Sequence, residues 1–484
     1  MASASDPDPQ AARFRYEELA DLVTDLVSRG TLQPGSRAPS LRQISRQQRT
    51  SLTTALQAYR MLEDRGVLEA RPQSGFYVAK PPANLPIPAM TRPSTRPTDV
   101  AASHLMLQLL QHAADHRYLP LGCAIPSPQL LGSGKLDRLL ARTARMQGVQ
   151  HNTYTEPRGD RALRIEIARR ALRWGYALSP DDIAITCGCT EALSLALNAV
   201  TRPGDTVAIE SPTYFGLLQV LRALSLKALE LPTDASTGID IDALASALKS
   251  RKVHACVLAS SYNNPLGCTM PEERKLAALR LLAQHHVPLI EDDVYGDIHF
   301  GDRRPRPFGS LDRRWDSIYC GSFSKTLAPG YRIGWVATTR HMQRVLESKF
   351  ASTLCAPALP QTAFAAFLSS GGYEHHLRRI RRVFADTLRC MANEIERSFP
   401  EGTRVSQPAG GFVLWLELPK PSDTTLLFTQ ALEKGICFAP GVIFSANGQH
   451  LHCLRLSGGY GWDARIEKGV RALGTLARAA GKRR

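Results

Sequence analysis

The sequence predicts an α/β protein in two parts: a small N-terminal unit of three helices and two short strands, then a large unit built on a mainly parallel sheet. Three observations carry this. Beyond about residue 120, short apolar runs alternate with helical stretches. The runs are Asp182–Thr186, Thr206–Glu210, His254–Ser260, Val287–Ile290, Ser317–Tyr319 and Arg332–Ala337, with helices such as Glu191–Val200 and Pro271–His285 between them. Within the first 80 residues, apolar side chains recur at helical spacing and give way to two strand-like runs. Between these regions stand Pro81, Pro82, Pro86, Pro88, Pro93 and Pro97, the composition of an extended, semi-rigid spacer. The expected division is 1–80, a spacer and connecting helix (Asp99 to about His116) over 81–120, and 121–484.

The chain has 484 residues, 43% hydrophobic and 21% charged, ample for a packed core and unlike a disordered chain. No run approaches the roughly 18 apolar residues of a membrane span, and the polar start lacks the basic and apolar regions of a signal peptide. Ten cysteines are too few for a disulfide scaffold and show no paired CxxC spacing; Cys187-Gly188-Cys189 is the one close pair. The expectation is a cytoplasmic protein with reduced thiols, no metal and no membrane partner.

Charge is the unusual quantity: 60 Lys+Arg against 44 Asp+Glu, or +16. Such a chain suits nucleic acid or anionic ligands. Its distribution matters more than its sum. Residues 1–80 contribute only +2, and residues 121–484 contribute +13. Yet Leu26 to Leu62 contains no acid, against Arg29, Arg37, Arg42, Arg46, Arg49 and Arg60.

In the N-terminal unit, Leu19, Leu22, Val23, Leu26 and Val27 form a helical stripe closed by Gly30. Pro34-Gly35 turns the chain, Ser40 caps a second helix from Leu41, and a third spans about Ser51 to Asp64. Gly66–Arg71 and Gly75–Val78 read as strands around a turn. Three helices and a β-wing make a winged helix-turn-helix. LQPGSRAPSLRQIS and TTALQAYRMLEDRGVLEARPQSGFYV, in this order, resemble the GntR family of bacterial transcription regulators. The resemblance implies double-stranded DNA as partner, with the third helix in the major groove and the wing on the backbone. It makes Arg42 a phosphate contact and places Arg49, Thr53 and Thr54 near the start of the recognition helix. Gln48 and Thr50 stand where the family usually has apolar residues, and Leu52 where it often has Arg.

In the large unit, polar clusters follow successive strand runs: Thr186-Cys187-Gly188-Cys189-Thr190, Glu210-Ser211-Pro212-Thr213-Tyr214, Asn263-Asn264-Pro265-Leu266-Gly267, Glu291-Asp292-Asp293-Val294-Tyr295 and Gly321-Ser322-Phe323-Ser324-Lys325. Ligands of open α/β sheets bind beyond the carboxyl ends of strands, so five such ends imply one site. Hydroxyls and a Gly turn before a helix suit a phosphate, with Arg332 as a bidentate partner. Asp292 suits a protonated ring nitrogen, and Lys325 can form an imine with an aldehyde. Together these describe pyridoxal 5′-phosphate.

SFSKTLAPGYRIGW, NNPLG, EDDVY, SPTYFG and TCGCTEAL, in this order, resemble the fold-type I, class I/II aminotransferases over about 121–478. The resemblance makes Lys325 the Schiff-base lysine and Asp292 the partner of the pyridine nitrogen. Asn264 and Tyr295 would bond the phenolic oxygen, and Tyr214 would stack on the ring. Gly188, Cys189, Thr190, Ser322, Ser324 and Arg332 would cradle the phosphate. Tyr154 would reach the phosphate of a neighbouring subunit, and Arg455 would clamp a substrate carboxylate. The combined architecture resembles the MocR subfamily, which implies a homodimeric regulator that senses the cofactor, or an amino compound or 2-oxo acid, through its aminotransferase-like domain. The alternative is a working aminotransferase with a vestigial or regulatory winged helix. The arginines at 158, 161, 164, 169, 170 and 173 read either as a solvated face or as a further DNA track.

Overall fold

The computed structural model describes residues 14–64, 66–71, 74–79, 83–101, 103–250, 252–312, 314–315 and 317–482. The chain divides into two compact units, the first ending at Ala83 and the second beginning at Asn84. Pro81 and Pro82 lie outside the described residues.

The first unit holds α1 (Arg15–Ser28), α2 (Leu41–Gln47), α3 (Leu52–Asp64) and an antiparallel wing of β1 (Leu68–Arg71) and β2 (Gly75–Val78). Ser40 caps α2 by accepting from the Gln43 N–H, and Ser51 does the same for α3 at Thr54. Leu19, Val23, Ile44, Tyr59, Leu62, Leu68 and Val78 form its core. The Tyr59 hydroxyl donates to Pro39 O at 2.8 Å, and its ring meets Phe76 edge-on, so one side chain joins α3 to the turn and the wing.

In the second unit, β3 (Thr98–Asp99) precedes α4 (His104–Ala113) and β4 (Leu119–Pro120). The helix is therefore shorter than the one expected from Asp99 to His116: Thr98 and Asp99 instead pair with Ala228 and Lys227. After α5 (Ser133–Gln147) and α6 (Arg161–Leu172) come β5 (Ile183–Thr186), α7 (Cys189–Val200), β6 (Thr206–Ser211), α8 (Phe215–Ala223), β7 (Lys227–Asp234) and β8 (Gly238–Ile239). Then follow β9 (Ala255–Leu258), β10 (Leu289–Asp292), β11 (Ile318–Ser322) and β12 (Gly334–Ala337). The sheet order is β3-β7-β6-β9-β10-β11-β12-β5, with β8 on β7. Strands β7, β6, β9, β10 and β11 are mutually parallel; β12 runs against both β11 and β5. The carboxyl ends of β5, β6, β9, β10 and β11 therefore share one edge. The central strands are buried at every position but the last of β10, as a sheet covered on both faces requires.

A second sheet, β13 (Arg404–Val405), β14 (Val413–Glu417), β16 (Ala439–Pro440) and β17 (Cys453–Ser457), is antiparallel in the order β13-β14-β17-β16; β15 (Ile436–Cys437) pairs with β4. The proline-rich stretch is not a free spacer from Asn84 onward. It is bonded along the second unit: Asn84 N–H to Glu396, Pro86 O from Val405 N–H, Ala89 N–H to Glu417 and Ala101 N–H to Ala446 O.

The arginines of α6 divide by burial. Arg164 and Arg170 are buried, Arg164 against Glu156 and Asp181, Arg170 against Asp297 and Glu374. Arg173 also pairs with Glu374, and Arg169 with Glu166. This corrects the expectation of a solvated or DNA-facing run for Arg164 and Arg170, whose charge is buried in ion pairs, while Arg161, Arg169 and Arg173 stay exposed.

Candidate active site at the strand ends

The strand ends open into a cavity of about 670 Å³. Asp292, the last residue of β10, lies in its wall, with the Cys189 thiol donating to its Oδ1 at 3.5 Å. Burial raises the Asp292 carboxyl to about 6. Tyr295 is buried, and its hydroxyl has no partner among the described residues although it lines the cavity. Asn264 Oδ1 accepts from Arg455 Nη1 at 2.9 Å. Arg455 is wholly buried in β17. Its other terminal nitrogen donates to Gly122 O, its guanidinium lies 5.3 Å from the Phe444 ring centre, and its Nε is unpartnered among the described residues.

Lys325 follows β11 and donates to Ala124 O at 2.7 Å. Burial and then the neighbouring Arg455 lower its ammonium to about 8, so the free amine at pH 7 is about a tenth of the whole, far more than an ordinary lysine offers.

The turn before α7 makes an anion cradle from backbone. Gly188 sits at φ +87°, a conformation that strains any other residue, and a Cβ there would press on the Arg332 guanidinium. Arg332, itself left-handed at φ 55°, donates to Cys187 O at 2.9 Å. The Ser322 and Ser324 hydroxyls lie 2.7 Å apart, and Thr190 in the first turn of α7 also lines the cavity. The N-terminus of α7, which begins at Cys189, adds the positive end of the helix. Tyr214 packs against Gly216, where a Cβ would collide with its ring.

These residues are brought together. Tyr154 is not: it is 82% exposed and outside the cavity wall. In the first unit Arg42, Arg49 and Thr53 are exposed. Arg49 occupies the turn between α2 and α3 at φ 49°, and Thr54 is engaged with Ser51 at 2.8 Å. The departures at 50 and 52 are visible too. Thr50 Oγ1 is buried without a partner among the described residues, and Leu52 is 53% exposed on α3.

Sequence reasoning missed the supports behind this wall. Glu210 is buried at the end of β6 and accepts from Ala259 N–H at 2.9 Å and Asn263 Nδ2 at 3.1 Å, fixing the turn that presents Asn264. Burial pushes its carboxyl up to about 8, against the pull of those two bonds. Glu191 accepts from Cys187 N–H and Thr353, with buried Lys349 3.5 Å away, and so braces the cradle. The available signal was acidic residues inside motif runs, at a strand end and in a helix's first turn.

Residues 129–473 match the aminotransferase class I and II family, and residues 15–78 match the gntR family of bacterial regulatory proteins. The chain is 39% identical over 462 residues to the uncharacterized HTH-type transcriptional regulator YdcR of Escherichia coli, covering 96% of this chain and 98% of that protein. It belongs to the MocR subfamily of GntR-type regulators. This subfamily joins the two domains found here. YjiR of E. coli, also named an HTH-type transcriptional regulator, is 38% identical over 92% of this chain and 94% of its own length. Among solved structures, LysN of Thermus thermophilus, an α-aminoadipate aminotransferase complexed with N-(5′-phosphopyridoxyl)-L-leucine, superposes with a TM-score of 0.73 at 30% identity, over 79% of this chain and 96% of that one. The MocR assignment accounts for a winged helix and an aminotransferase-type cavity in one chain.

Proposed function

We propose that this protein is a cytoplasmic, DNA-binding transcription regulator that holds pyridoxal 5′-phosphate in the cavity and senses an amino compound or 2-oxo acid there. The supporting observation is that Lys325, Asp292 and the Gly188–Arg332 cradle converge on one cavity in a chain that also carries a winged helix. The donor set fits the cofactor. The unpartnered Tyr295 hydroxyl and the Asn264 amide suit its phenolic oxygen, Asp292 its ring nitrogen, Tyr214 its ring face, and Gly188, Cys189, Thr190, Ser322, Ser324 and Arg332 its phosphate. When bound, the group supplies an aldehyde and an electron-withdrawing pyridinium.

The chain's own part is to hold and orient. Lys325 presents a free amine, Asp292 keeps a carboxylate beside the ring nitrogen, and Arg455 receives a carboxylate. Arg42, Arg49, Thr53 and Thr54 are the proposed DNA contacts. A homodimer belongs to the same reading: Tyr154 is exposed, as a side chain reaching the phosphate site of a second copy would be in one chain alone.

The test is binding to the DNA upstream of the protein's own gene, by fluorescence anisotropy at several salt concentrations, with and without cofactor. Preference over random DNA that responds to cofactor or amine supports the reading; equal affinity for both sequences under all conditions overturns it. The presence of Lys325, Asp292, Tyr295 and Arg455 together favours a second reading, an active aminotransferase. Multiple turnovers between amino acids and 2-oxo acids at ordinary enzyme rates would select it.

A further inference from the structure

We infer that the ligand read by this cavity is an α-amino acid with an uncharged, apolar side chain of leucine to phenylalanine size. This rests on the proposed use of the cavity, with Lys325 facing the amine and Arg455 the carboxylate.

Both cations lie against one short segment. Lys325 donates to Ala124 O and Arg455 to Gly122 O. An amino acid spanning them projects its side chain past the next residue, Ile125, which lines the cavity and is 42% exposed. Met106 and Leu110, one turn apart on α4, line the same cavity, and Leu110 is 43% exposed. Large apolar side chains left uncovered on a cavity wall gain from an apolar group laid on them.

The charges point the same way. Among the described residues, the cations lining the cavity are Lys325, Arg332 and Arg455. Arg332 is committed to the cradle through Cys187 O. A side-chain carboxylate would therefore enter without a cation of its own, facing a wall that already holds the carboxyl groups of Asp292 and Glu191. A side-chain ammonium gains little in return, because Glu191 and Glu210 are spent on Cys187, Thr353, Ala259 and Asn263.

The experiment uses the full-length protein loaded with pyridoxal 5′-phosphate. Its visible absorbance is titrated with L-leucine, L-methionine, L-phenylalanine, L-alanine, L-aspartate, L-glutamate and L-lysine, and thermal shift provides an independent binding readout. The three large apolar amino acids should show midpoints about tenfold or more below that of alanine, and lower still relative to the acids. Ile125→Arg should narrow the gap between leucine and glutamate at least tenfold. Acids binding as well as leucine, or no amino acid shifting an established cofactor band, would overturn the inference and leave the cofactor reading standing. Absence of a cofactor band, or a band unchanged in Lys325→Ala, would overturn both.

Discussion

Arg455 and Asn264 are joined by a 2.9 Å hydrogen bond that ties β17 of the four-stranded sheet to the turn that follows β9 of the nine-stranded one. The bond uses the Asn264 carbonyl oxygen, which leaves its amide N–H groups for the cavity. Arg455 thus holds Asn264, the group proposed for the phenolic oxygen, and is itself the proposed partner of the carboxylate. Arg455→Lys loses the fork geometry that serves both. It should weaken amino acid binding about tenfold or more while leaving simple amines unaffected. Parallel absorbance titrations with an amino acid and its decarboxylated amine separate the two outcomes.

Cofactor capture needs the free amine of Lys325, and burial has lowered that ammonium to about 8. The rate of capture should therefore rise with pH and level off just above 8, rather than climbing toward the ordinary lysine range near 10.5. Stopped-flow absorbance from about pH 6.5 to about 10, a window that spans the lowered and the ordinary lysine values, reads it directly. Arg455→Met removes a positive neighbour and should move the midpoint up.

Glu210 imposes a pH slope on stability. Its folded carboxyl stands near 8 against 4.5 when unperturbed. Between those values the folded state keeps a proton the unfolded chain has lost, so stability falls as pH rises from 4.5 to about 8 and is level above. Glu210→Gln removes this slope at the cost of the Asn263 bond. Urea unfolding across that range should show wild-type stability declining and the variant nearly flat, the two curves converging or crossing at the alkaline end.

Gly188→Ala places a methyl into the Arg332 guanidinium and strains a φ of +87°. The expected cost is about 1–3 kcal/mol of stability, together with loss of cofactor retention as Arg332 is displaced. Thermal denaturation and cofactor release on dilution are the measurements.

On the DNA side, Arg42→Ala should lower affinity for all sequences alike and reduce the salt slope by about 1, as loss of one phosphate contact does. Arg170→Glu, by contrast, buries a reversed charge between Asp297 and Glu374. It should fail to accumulate as folded protein, which circular dichroism would show before any DNA is added.

Strand ends and motif runs were legible because they are local. Thr186, Asp292 and Ser322 each close an apolar run just where a polar cluster begins, and Ser40 announces α2 by its own chemistry. What escaped depended on partners far along the chain. Arg170 looked like surface charge until Asp297 and Glu374 arrived from more than a hundred residues away. Asp99 read as the start of a helix because its strand partner, Lys227, stands far along the chain. Glu210 lay in plain view within a motif, but its work is done through Asn263, 53 residues on. Two-residue strands such as β13 and β16 carry too little pattern to announce the four-stranded sheet.

The bonding of residues 84–101 along the second unit governs how the protein can be cut. Strand β3 covers the flank of β7 at Ala228 and Lys227, and Pro86, Ala89 and Thr91 are tied to Val405, Glu417 and Ser211. A fragment starting at residue 121 would bare that flank as an open template for strand pairing between molecules and should aggregate. A fragment starting at residue 84 keeps its own selvedge and should stay in solution.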